Sequence, residues 1–169
     1  MRFTTVHRAV APVLFGLFAL FAFLVHAPAA QAADYLLGPE DVAPIARAHV
    51  AAADAAVRDA TSRFRPAVIF DQDLLSTVVY ARHYYGDCPS WIVRLAAERR
   101  GDLYLLCHPD LPWSSDGVRD RPQAREEIHA LFASALRDTG ARVAEVAGRG
   151  VGREARAHAA VAELLASRA

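Results

Sequence analysis

The sequence predicts an α/β domain, a parallel sheet with flanking helices, on three observations. Short apolar runs rich in β-branched residues alternate with longer segments of helical spacing. The first two runs end at Asp71 and at His108, and glycine or proline stands at most junctions. A length of 169 residues suits one such domain, since single domains centre near roughly 100 to 150 residues. The 54% hydrophobic content excludes intrinsic disorder, but 36 residues are alanine, so the core is smaller than that percentage suggests.

Taken in order, the chain opens with Arg2, His7 and Arg8, followed by an apolar run at residues 9–25 and an A-x-A site at Ala30-Gln31-Ala32. This reads as a secretion signal cleaved after Ala32 or, uncleaved, as an N-terminal apolar helix anchoring the chain to a membrane through residues 9–25. A false translation start is the third reading. Residues 1–32 are accordingly set apart from a domain at 33–169.

Pro39-Glu40-Asp41 opens an alanine-rich helix running to about Ser62, with acids in its first turn and Arg58 and Arg63 towards its end, complementing the helix dipole. Pro66 stops it. Ala67-Val68-Ile69-Phe70 is a buried strand ending at Asp71, and Asp73 caps a helix to Tyr85. Gly86-Asp87-Cys88-Pro89 breaks the chain before a helix at about Ser90 to Arg100. Leu103 to Cys107 form the second strand, and His108-Pro109-Asp110 enters a loop running to Arg121. Pro122 starts a helix with Ile128, Leu131, Phe132, Ala135 and Leu136 at helical spacing, and Gly140 ends it. A weaker strand at Arg142 to Val146 and a helix from about Gly152 to Ser167 complete the chain.

Composition also excludes functions. All 19 basic residues are arginine, so no P-loop with its phosphate-gripping lysine exists in this sequence, and Schiff-base lysine chemistry is excluded with it. The net charge is zero and no basic block is present, which leaves a nucleic-acid partner without electrostatic support. Cys88 and Cys107 pair as a bridge if the chain is exported, or stand as two small buried hydrophobes.

Three features at the predicted carboxyl ends of strands carry candidate chemistry. Asp71-Gln72-Asp73 can hold a metal-bound water or take a proton from a substrate hydroxyl; equally, it is a helix cap beside a solvated acid. Between Asp110 and Arg125, Arg119, Arg121 and Arg125 suit bidentate clamping of phosphate oxygens, with Trp113 free to stack on a ring. Local pairing with Asp116, Asp120 and Glu126 is the plainer account. His83-Tyr84-Tyr85 lines a pocket or makes partly buried aromatic contacts, and the histidines show no metal spacing.

These same segments carry a resemblance. Phe70-Asp71-Gln72-Asp73-Leu74-Leu75-Ser76-Thr77-Val78-Val79-Tyr80, His83-Tyr84-Tyr85-Gly86, Asp102-Leu103-Tyr104-Leu105-Leu106, Asp110-Leu111-Pro112-Trp113 and Asp116-Gly117-Val118-Arg119-Asp120 together resemble the NadR-like AAA-type ATPase and nicotinamide riboside kinase family. The match runs in order from about Tyr35 to the C-terminus. It implies a P-loop kinase-like fold, ATP and Mg as cofactors, a nucleoside or nucleotide as small-molecule partner, and a cytoplasmic setting. It further implies that Asp71 and Asp73 are catalytic, with Asp71 on Mg. Trp113 and Tyr84 would contact substrate, and Asp116, Arg119 and Arg125 would form a phosphate-closing lid.

Two departures stand out. Gln72 occupies a position where the family usually has Thr. More seriously, family members begin with a strand, a lysine-bearing P-loop and a helix, and this chain has the signal-like segment there. The expectation is therefore an incomplete fold lacking the P-loop strand between the strands at residues 67–71 and 103–107. The chain reads as the C-terminal part of such a kinase, inactive alone. The alternatives are a secreted, non-enzymatic α/β module binding an anionic small molecule, and a partner that borrows a P-loop from another chain.

Overall fold

The computed structural model describes residues 3–8, 37–112 and 124–167. One sheet is formed by β1 (Phe3–Arg8), β2 (Ala67–Phe70), β3 (Leu103–Cys107) and β4 (Val143–Val146), in the order β2-β1-β3-β4. The helices are α1 (Val42–Ser62), entered through a 3-10 turn at Pro39–Asp41, α2 (Leu74–Tyr85), α3 (Ser90–Glu98), α4 (Arg125–Asp138) and α5 (Gly150–Ala166). The alternation read from sequence thus produces the expected α/β layering, with the last helix beginning two residues earlier than expected.

The sheet departs from expectation at its centre. The place expected to be empty is filled by residues 3–8, the opening of the signal-like segment. Thr4, Thr5 and Val6 are β-branched and follow Phe3, a composition that suits a pleated surface. The sheet is also mixed, not wholly parallel: β1 runs antiparallel to both β2 and β3, while β3 and β4 are parallel. The apolar run at residues 9–25 and the A-x-A site lie outside the described residues. No helix among the described residues is long and apolar enough to cross a membrane.

Register decides which strand ends meet. Thr5 faces Phe70 on one side and Tyr104 on the other, so the last residue of β2 is level with the second of β3. Cys107, level with Val146, lies three residues further along, roughly 10 Å at 3.3 Å per residue. The carboxyl end of β2 therefore abuts the beginning of β3.

Strand alternation divides the core. Val6, Leu103 and Leu105 face α5 and pack with Val146 and Leu164. Tyr104 and Leu106 point the other way, against Leu75 and Val79 of α2 and Ile128, Phe132 and Leu136 of α4. A third cluster joins α1, α2 and α3 through Val42, Ala46, Leu74, Val78 and Ile92. Of the α1 alanines only Ala46 and Ala60 are buried, so its high alanine content serves chiefly helix propensity.

Cys88 is buried in the three-helix cluster, whereas Cys107 packs against the α5 cluster, and both are free thiols. The bridge reading is thereby corrected, because the two cysteines belong to different cores. Phe64 takes a left-handed backbone conformation at φ 55°, which for a non-glycine residue is strained, as the chain turns from α1 into β2.

Candidate functional site

Asp73 is built into the start of α2. Its backbone is extended, and its Oδ1 accepts hydrogen bonds from the Leu75 and Ser76 backbone N–H groups at 2.9 and 3.3 Å. The Ser76 hydroxyl in turn accepts from the Asp73 N–H at 3.1 Å, closing a capping box. Oδ2 accepts from the Tyr104 hydroxyl at 3.0 Å, and the same hydroxyl accepts from the Gly101 N–H at 3.0 Å. The cap expected from sequence is present, and both carboxylate oxygens are engaged.

Burial raises the Asp73 carboxyl above the ordinary carboxylate range; hydrogen bonds, that from Tyr104 foremost, oppose the rise. Tyr104 is pushed up in turn, by burial first and then by the charge of Asp73. The Thr5 hydroxyl of β1 is fully buried on the same side of the sheet, where it approaches this carboxyl without a regular hydrogen bond.

Asp73 also lines a cleft of about 340 Å³ between α1, the start of α2 and the end of α3. His49, Val57, Phe70, Gln72, Arg99 and Arg100 are among the other residues around it. The His49 Nδ1 lies 3.3 Å from the Thr77 hydroxyl, and burial lowers its pKa, with the charge of Asp73 pulling the other way. Arg99 is tied to Asp54 by an ion pair, and Arg100 donates to the Thr139 carbonyl at 2.7 Å. The cleft thus has an apolar wall and a polar end, with its arginines already satisfied by protein groups. Asp71, one residue beyond β2, is exposed.

The other predicted group lies apart from this one. At the far end of β3, Asp110 accepts from the Gly148 N–H and from Arg153 Nη1, each at 2.6 Å. Those bonds, the Gly148 one first, hold its carboxyl below the usual range. Arg153 also donates to the His108 carbonyl at 3.1 Å, and Arg125 donates to the Pro109 carbonyl at 2.6 Å. Arg125 therefore clamps the start of the expected lid. Trp113, Asp116 and Arg119 lie outside the described residues.

Near that end His108 Nε2 meets Glu145 Oε2 at 2.8 Å, and the His108 and His129 rings are 4.7 Å apart. The His108 bond holds Glu145 low, while burial and then His108 lower His129. No group of three or more metal-ligating side chains is arranged to hold an ion among the described residues. Tyr84 is exposed on α2, in edge contact with His83 at 4.9 Å and stacked with Tyr80 at 6.2 Å. It contributes nothing to the cleft.

Sequence reasoning found Asp73 but missed Tyr104, His49, Arg99 and Arg153. These are supplied by other elements, 24 to 43 residues away from the groups they serve, and no local spacing signals them. A family model described as AAA domain matches residues 26–154, a span that includes β2 to β4 but begins after β1. No curated protein matches the chain.

Proposed function

The chain belongs to the AAA domain family, and from that premise we propose that it keeps the acidic, substrate-facing half of a nicotinamide riboside kinase-like protein and does not transfer phosphate on its own. The observation that carries this reading is the 340 Å³ cleft at Asp73, whose size and mixed lining suit a nucleoside-sized molecule. Phe70 and the α1 wall would take a ring. Gln72 and His49 would take hydroxyl groups, each able to donate or accept, while Asp73 holds the start of α2 in place beneath them.

ATP and Mg do not fit the residues present. There is no lysine for the phosphates. Because β1 is antiparallel, the chain leaving it after Arg8 departs beside Ala67, at the opposite end of the sheet from Asp71 and Asp73. A backbone cradle following β1 would therefore be on the wrong side, and positioning supplies most of phosphoryl-transfer catalysis. Of the two acids, Asp73 is occupied by its cap and by Tyr104, so no carboxylate pair is open to Mg.

The competing reading, an anionic ligand, has less support, since Arg99 and Arg100 are already committed within the protein. Cleavage after Ala32 would remove β1 from the centre of the sheet, which favours a chain that retains its N-terminus, as an anchor or otherwise. Intact mass of the endogenous protein tests this, and a product starting at Ala33 would overturn it.

Calorimetry of the full chain with nicotinamide riboside and with adenosine tests the cleft. Saturable binding is expected, weakened at least tenfold by His49→Ala, and no binding of either would refute the assignment. Incubation with Mg-ATP and nicotinamide riboside should yield no phosphorylated product above a protein-free control. Turnover would refute the inactive reading.

A further inference from the structure

His49 stands on α1 and Thr77 on α2, and the two side chains meet where those helices pack, with Nδ1 of the ring 3.3 Å from the hydroxyl. Either group can donate, and a count of donors decides between them. Thr77 is buried, and its hydroxyl makes no other hydrogen bond among the described residues. The Asp73 carbonyl, one turn back along α2, is already taken by the Ser76 hydroxyl at 2.6 Å and by the Thr77 N–H at 3.4 Å. If Nδ1 donated, the Thr77 O–H would be left buried without an acceptor. If the hydroxyl donates, only an oxygen lone pair goes unused, which is the lesser loss.

With its Nδ1 lone pair engaged, a neutral imidazole carries its proton on Nε2. Burial holds His49 below the ordinary histidine range and so keeps the ring neutral, against the opposing charge of Asp73. The cleft of about 340 Å³ is lined by His49 but not by Thr77. The Nδ1 edge of the ring is therefore turned to α2, and the Nε2 edge is the one left for the cleft. Among the described residues no protein group takes Nε2.

We propose that Thr77 is a positioning residue that fixes His49 as a hydrogen-bond donor through Nε2–H, so that the cleft selects a ligand presenting a neutral oxygen or ring-nitrogen acceptor there over one presenting only a donor. Of the two roles open to an imidazole, the protein has then chosen one before any ligand arrives. A nucleoside meets the requirement through its ribose oxygens. That selection rests on the nucleoside reading of the cleft; the position of the proton does not, because it belongs to the ligand-free protein.

Nitrogen-15 NMR of the histidine side chains in the full chain tests both, at about pH 8, above the histidine range, with His49→Gln identifying the His49 signals. Without ligand, a single tautomer is expected, with Nε2 protonated and Nδ1 bare. A ring protonated mainly on Nδ1 would overturn the proposal. Thr77→Val, which keeps the shape and removes the hydroxyl, should bring the second tautomer into view, and Thr77→Ser should suppress it again; an unchanged spectrum in Thr77→Val overturns the role of Thr77. Saturation with adenosine should leave the proton on Nε2 and move its resonance, whereas transfer to Nδ1 on binding would show that Nε2 accepts and would overturn the selection. By calorimetry Thr77→Val should weaken adenosine about fivefold, the equivalent of one net hydrogen bond, with Thr77→Ser restoring it. Absence of adenosine binding in the parent chain refutes the nucleoside reading and the selection built on it, while the ligand-free spectra still uphold or overturn the role of Thr77.

Discussion

Asp73 combines two demands that pull its proton in opposite directions. Burial favours the neutral form, and the Tyr104 hydrogen bond and the capping of α2 favour the charged one; burial prevails, and the carboxyl is raised. An acid raised in the folded state binds protons more tightly there than in the unfolded chain. Its contribution to stability is therefore fully present below the unfolded carboxylate pKa and lost as pH rises through the folded value. Asp73→Asn keeps the cap and removes the titration. Urea unfolding between pH 3 and 7, roughly the range spanning the carboxylate value, should show this pH-dependent contribution in the parent and not in the variant. Asp73→Ala loses the cap as well, and should cost about 2 kcal/mol by the same measurement. His49 has the opposite sign: a lowered histidine stabilises above its unfolded pKa and loses that contribution as pH falls through the folded value. Replacing it with Gln should flatten the acid limb of the stability profile.

Elements in this protein are as stable as their junctions. α2 is closed at both ends, by the Asp73 box and by Gly86, which takes φ 81° and donates its N–H to the Arg82 carbonyl at 3.0 Å. A Cβ there meets no neighbouring atom, so Gly86→Ala tests backbone conformation alone. Thermal or urea denaturation should show a loss of about 1 kcal/mol. β1 depends on no cap at all. Its stability comes from two hydrogen-bonded edges and from Val6, so Val6→Asp should cost about 4 kcal/mol or more, visible as loss of the cooperative transition in circular dichroism. α4 is held at its start by Arg125 on the Pro109 carbonyl, and α5 by Arg153, which bridges Asp110 and the His108 carbonyl.

For the molecule as a whole, the mixed sheet is the governing fact. The three mutually parallel strands β2, β3 and β4 are the part covered by the family match, and β1 joins β2 to β3 from outside that span. Without β1, two edges open at the centre of the sheet and the Val6 cluster loses its middle. A chain beginning at Ala33 is accordingly expected to lack a cooperative thermal transition, while the full chain has one; differential scanning calorimetry of both distinguishes them. The register offset acts at the same scale. It sets Asp73 against the start of β3 and leaves Asp110, Arg125 and Arg153 grouped at its far end, so one set of predicted residues becomes two separate places.

The sequence alone determined a good deal of this protein. Short apolar runs located β2 to β4, and caps, glycine and proline breaks, end charges and, for α4 and α5, apolar spacing located the helices, because these signals act over a few neighbouring residues. Asp73, standing between a short apolar run and a helical segment, marked a cap that needs only neighbours to form. The absence of lysine excluded a P-loop from the sequence without any coordinates. What tertiary structure decided was which segments meet. Residues 3–8 read as the charged opening of a signal-like segment, and six residues of strand character gain meaning only from the two edges that receive them. Tyr104 on Asp73, His49 across the cleft and Arg153 on Asp110 are pairings between elements distant in sequence. No local pattern encodes them, because strand order, direction and register are set by the fit of whole elements against one another.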